Sequence, residues 1–66
     1  MYKFELLILN NHDRVKSNNI KELIKAIEYL IEKGYNELKF EDKETNVYLE
    51  IENYIDLIEL MSLYGM

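Results

Sequence analysis

The chain of 66 residues has no cysteine, no proline and no tryptophan, and it has only two glycines and one histidine. Without cysteine, disulfides and thiolate metal sites are excluded. With His12 as the lone imidazole, so is any multi-histidine metal centre. Gly34 and Gly65 stand far apart, so no glycine-rich loop can cradle a phosphate. The longest apolar run near the N-terminus, Leu6-Leu7-Ile8-Leu9, is far too short to cross a bilayer. It follows Glu5 and precedes no small-residue cleavage site, so a secretory leader is not expected and a cytoplasmic location is. No cofactor is implied.

Positive charge is also missing from one end. All eight bases lie at or before Lys43, where they balance eight acids. The last 23 residues carry Glu44, Glu50, Glu52, Asp56 and Glu59 and no base, so the whole net charge of −5 sits there. An acidic surface repels nucleic acid and anionic membrane, which argues against both as direct partners. It suits a basic protein.

The order of elements can be read from periodicity. Residues 2–9 form a strand, with Tyr2, Phe4, Leu6 and Ile8 on one face. Residues 10–19, rich in Asn, read as a loop. Residues 20–33 form an amphipathic helix, with Ile20, Leu23, Ile24, Ile27, Leu30 and Ile31 as its apolar stripe. Asn19 is its N-cap, Glu22 stands in capping-box spacing, and Gly34 ends it. Residues 36–41 and 47–52 alternate and make a hairpin across a polar turn at 42–46. Residues 53–64 form a second helix, capped by Asn53 and supported by Asp56. The expectation is one small α+β domain, β-α-β-β-α, with both helices on one face of a three-stranded mixed sheet. Its favoured strand order is 1-3-2, a ferredoxin-like arrangement without its final strand, with 1-2-3 as the rival.

The second helix sets the functional question. Between Tyr54 and Tyr64 only Asp56, Glu59 and Ser62 are polar. A helix this apolar is normally buried, yet a two-layer fold leaves half of it open. Four such side chains, if buried, are worth about 6–12 kcal/mol at about 1.5–3 kcal/mol each. In the 1-3-2 order the first strand is also a bare apolar edge. Both features point to association, with a homodimer through Leu7, Leu9, Ile58, Leu60, Met61 and Tyr64 as one form of it.

Catalytic and metal readings are weak. His12-Asp13-Arg14 lacks supporting residues and reads as a solvated loop. Glu37, Glu41, Asp42 and Glu44 lack calcium-loop spacing and are interleaved with Lys39 and Lys43. Tyr48 could stack a base, but Glu50 and Glu52 share its strand face. Those two carboxylates stand about 6.6–6.8 Å apart along a strand, similar to successive backbone phosphates. With Asp56 and Glu59 they make an acidic ladder, and Tyr48 and Tyr54 can anchor a contact. In size, acidity and lack of motifs the chain resembles small phage-encoded inhibitors, including anti-CRISPR proteins. That resemblance implies a non-catalytic DNA mimic that blocks the basic site of a nucleic-acid-binding protein in a bacterial host cell. The alternative is a self-associating module with no nucleic-acid role.

Overall fold

A computed structural model describes residues 1–66. Six elements follow one another: β1 (Phe4–Ile8), β2 (Asp13–Ser17), α1 (Ile20–Glu32), β3 (Leu38–Asp42), β4 (Val47–Ile51) and α2 (Tyr54–Leu63). The class is α+β as expected, but the sheet has four strands, in the order β2-β1-β3-β4, and every neighbouring pair is antiparallel.

The added strand is β2, which lies inside the stretch read as a loop. Its sequence Asp-Arg-Val-Lys-Ser supplies only one apolar side chain, Val15. That is enough because β2 is an edge strand, and its bases discourage further pairing there. The tight reversal into it places His12 at φ 57°, in the left-handed region. The favoured order 1-3-2 fails, and the three expected strands lie in the rival order 1-2-3, as β1-β3-β4, but with β1 and β3 antiparallel rather than parallel, because β2 reverses the chain before α1. The first strand turns straight back into a hairpin and then pairs with β3, so it lies between β2 and β3 and is no edge. The apolar run Leu6 to Leu9 therefore poses no open-edge problem.

Register sorts the strand residues onto two faces. Val15, Leu6, Phe40 and Leu49 form one cross-strand row on the inner face; Ile8, Leu38 and Ile51 belong to the next. Both helices cover this face. Leu23, Ile24 and Ile27 of α1 and Leu57 and Leu60 of α2 complete one core with Phe4, Leu6, Ile8, Leu38, Phe40 and Ile51. α1 packs on β1 and β2, and α2 packs on β4 and against α1.

The helix ends follow their local sequence. Asn53 caps α2 by accepting from Ile55 and Asp56 N–H, and Asp56 accepts in return from Glu52 and Asn53 N–H (2.7 and 3.3 Å), a capping box. At α1 the reciprocal half is different from the expected one. Asn19 accepts from Lys21 N–H, but its own N–H donates to Ser17 Oγ (2.9 Å), and that hydroxyl donates to Glu22 Oε2 (3.0 Å). A buried serine at the end of β2 thus relays the bond that the spacing of Asn19 and Glu22 predicts directly. Gly34, at φ 95°, closes α1: its N–H reaches Ile31 O and the Tyr35 N–H reaches Leu30 O.

Candidate functional site

The open face of the sheet is polar. Two rows cross it: Lys16, Glu5, Glu41 and Tyr48, then Arg14, Leu7, Lys39 and Glu50. Glu5 is only 7% exposed although no helix covers it. Arg14 Nη1 (3.5 Å) and Lys43 Nζ (3.7 Å) lie over its carboxylate from either side. Lys3 pairs with Glu44 at 3.7 Å. Positive charge therefore collects towards β2 and the one end of the central strands where Lys3 and Lys43 are neighbours, and the β4 side is left with Tyr48 and Glu50. Lys39, one strand in, sits 5.9 Å from the Tyr48 ring centre.

The four acids of the ladder and its two tyrosine anchors fall on two surfaces. Tyr48 and Glu50 are on the open sheet face. Glu52 lies just past the strand end, beside a shallow groove that Glu50, Lys39 and Glu37 also line. Tyr54, Asp56 and Glu59 belong to α2. Asp56 is occupied as a capping carboxylate, so it is a structural group first. Tyr54 stands beside the end of α1; partial desolvation and the charges of Glu32 and Glu28 push its hydroxyl above the usual tyrosine value.

The six residues of the expected self-association surface are likewise dispersed. Leu7 is half-buried on the open sheet face, and Leu9 follows β1 at the strand end. Leu60 is 0% exposed, inside the chain's own core, and cannot face a partner. Met61 and Tyr64 are half-buried against that core. Only Ile58 projects outward from α2, at 61% exposure, and beside it is a residue that sequence reasoning missed, Ile55, at 74%. Tyr54 and Leu63 are exposed on the same helix. The signal for Ile55 was present: Leu57, Leu60 and Tyr64 share one side, and Ile55 lies opposite them at 100° per residue.

α2 is held in this attitude by a buried polar contact. Asp42, expected in the solvated turn, is the last residue of β3 and is 1% exposed. Tyr64 Oη donates to its Oδ2 at 2.6 Å, and the Glu44 and Thr45 N–H groups donate to its Oδ1 at 2.9 and 3.3 Å. Burial alone raises a carboxyl pKa, but these three bonds outweigh it and hold Asp42 below its ordinary value. The phenol responds the other way: burial, its bond to Asp42 and the charge of that carboxylate push Tyr64 well above the usual range. Its ring meets Phe4 and Phe40 edge-on, with centroids 5.7 and 6.0 Å apart. The outward set of α2 residues is therefore a consequence of a firm anchor underneath.

His12 ends the β1–β2 turn and Asp13 opens β2. There Asp13 accepts from Arg14 N–H at 2.8 Å, and Asn11 accepts from Asp13 N–H at 3.1 Å. Both contacts shape the turn. The Glu37, Glu41, Asp42 and Glu44 set does not converge, because Asp42 points into the core and Glu44 pairs with Lys3. No helix is long and apolar enough to cross a membrane. Comparison with family models, curated proteins and solved structures gave no match.

Proposed function

We propose that this chain is a non-catalytic protein-binding module. Its C-terminal third, β4 and α2, engages a partner with a basic surface, of the kind that a nucleic-acid-binding protein uses for phosphates. The observation that carries this is the pair Ile55 and Ile58, well exposed on a helix whose only charges are acidic. An apolar contact rimmed by one sign of charge combines burial with electrostatic selection of the partner. Glu52 and Glu59, with Glu28 and Glu32 of α1 near Tyr54, supply the rim. Blocking a nucleic-acid site is the role this surface suits, in the manner of a phage-type inhibitor and DNA mimic.

The test is competition. A panel of basic DNA-binding domains, each holding a fluorescent duplex, is titrated with the chain at low and high salt. Release of duplex from a member of the panel, weakened by salt and by Ile58→Asp or Glu52→Lys, is the expected result. Retention of duplex across the panel, or release indifferent to both substitutions, counts against the reading.

A second reading, a homodimer formed through α2, draws on the same exposed isoleucines. Glu59 and Asp56 on that helix disfavour it, since a twofold contact would bring like charges together. Sedimentation at several concentrations decides it: a dimer lost on Ile58→Asp supports self-association, and a monomer at all concentrations sinks it.

A further inference from the structure

The two edges of the sheet differ in how they are protected. β2 presents Asp13, Arg14 and Lys16, a charged edge of the kind that resists strand addition. β4 presents Val-Tyr-Leu-Glu-Ile, with one charge, no proline and no lysine. It is the terminal strand, paired on one side only with β3. The turn before it ends at Asn46, and after it the Glu52 N–H is taken up by Asp56. Along β4 alternate residues turn to β3, so the register leaves the N–H and C=O groups of Tyr48 and Glu50 at the open edge. Val47 and Leu49 are half-buried at the rim of the core, so a strand laid alongside would extend the apolar face with alternate side chains. On the other face it would meet Tyr48 and Glu50, with Glu52 at the end.

We infer that this edge accepts an extended basic segment of the partner as a fifth strand, with apolar residues towards α2 and Lys or Arg towards Glu50 and Tyr48. This rests on the reading of the chain as a binder of basic proteins and adds the mode of recognition. Charge complementarity selects the occupant. Glu50 and Glu52 favour cations; Lys39 meets Glu50 and the Tyr48 ring from the inner side, as the register partner of Glu50 and 5.9 Å from the ring centre, and β4 itself carries no base. A second copy offering β2 is the competing occupant; its Arg14 is already drawn towards Glu5, and such head-to-tail pairing would not close.

The experiment is a backbone-amide NMR titration of the full chain with three synthetic peptides of equal length: alternating valine and lysine, the same peptide N-methylated at alternate residues, and alternating valine and glutamate. The first should shift the β4 amides and protect those of Tyr48 and Glu50 in particular, and Glu50→Lys should weaken it about tenfold. The N-methylated and glutamate peptides should not bind. Binding that survives N-methylation, or that maps to Ile55 and Ile58 instead, overturns strand addition and leaves the basic-partner reading in place. Absence of peptide binding with duplex release intact does the same. Loss of both removes both proposals. Open-ended growth of the chain alone, abolished by Lys16→Glu, would identify β2 of another copy as the occupant and overturn the inference.

Discussion

Asp42 and Tyr64 show how one contact sets the pH range of stability. The Asp42 carboxyl is held below its unfolded value, so its contribution is present above the ordinary carboxylate range and is lost as pH falls through the folded value. Tyr64 is shifted upward, so its contribution is complete below about pH 10, the usual tyrosine value, and fades as pH rises towards the folded value. Tyr64→Phe keeps the ring packing and removes the 2.6 Å bond. It should cost about 1–2 kcal/mol in urea denaturation at pH 7 and reduce the difference in stability between pH 7 and pH 11. A melt unchanged at both pH values would show that the bond contributes nothing. Sequence reading left this pair unseen. Asp42 sits in Glu-Asp-Lys-Glu, where an acid is ordinarily solvated, and nothing local reveals that Tyr64, 22 positions later, will reach it.

At the scale of elements, α2 explains which of its residues a partner could see. Leu60 and Ile58 look interchangeable in the sequence, since both lie in a run that is apolar almost all round. The structure separates them. Leu60→Asp would place an unpaired charge in the core and should unfold the chain, so it cannot serve as an interface probe. Ile58→Asp should change stability by no more than about 0.5 kcal/mol, as surface substitutions do, and should act on binding alone. Circular dichroism melts of the two variants, compared side by side, check this. Asn53→Ala removes the cap and should cost about 1 kcal/mol, with faster amide exchange at Ile55 and Asp56. Both helices, their N-caps and Gly34 were legible because each signal is local and repeated over several turns. β2 was not, because an edge strand needs only one inward side chain, and Val15 between Arg14 and Lys16 looks like any solvated stretch. The better clue was length: residues 10–19, between the expected first strand and Ile20, leave room enough for a return strand.

The whole molecule is layered simply, with one sheet, one covered face and one polar face. Its most protected amides should lie in β1 and β3, which have neighbours on both sides, and the least protected strand amides should lie in β2 and β4. Hydrogen exchange at Leu6 and Phe40 compared with Val15 and Leu49 measures this ranking; equal rates across the four strands would contradict it. Net charge and its bias towards the C-terminal third were plain from the residues. The favoured strand order was not, because it set the last strand between the first two; the rival order 1-2-3 has the right neighbours, but with β2 unseen it made β1 and β3 parallel, whereas the strand inserted between the crossover-linked β2 and β3 is the first.

The strand order also has a consequence for how the chain reaches this state. β1 with β2 and β3 with β4 are neighbours in sequence, so each hairpin closes a short loop. Of the three strand seams, only β1–β3, from Ile8 with Leu38 to Phe4 with Asp42, joins distant parts of the chain. Closing that long interval is the slow entropic step. Stopped-flow refolding should therefore be retarded by truncating Leu6 or Phe40 at the seam, and truncating Val15 should mainly hasten unfolding.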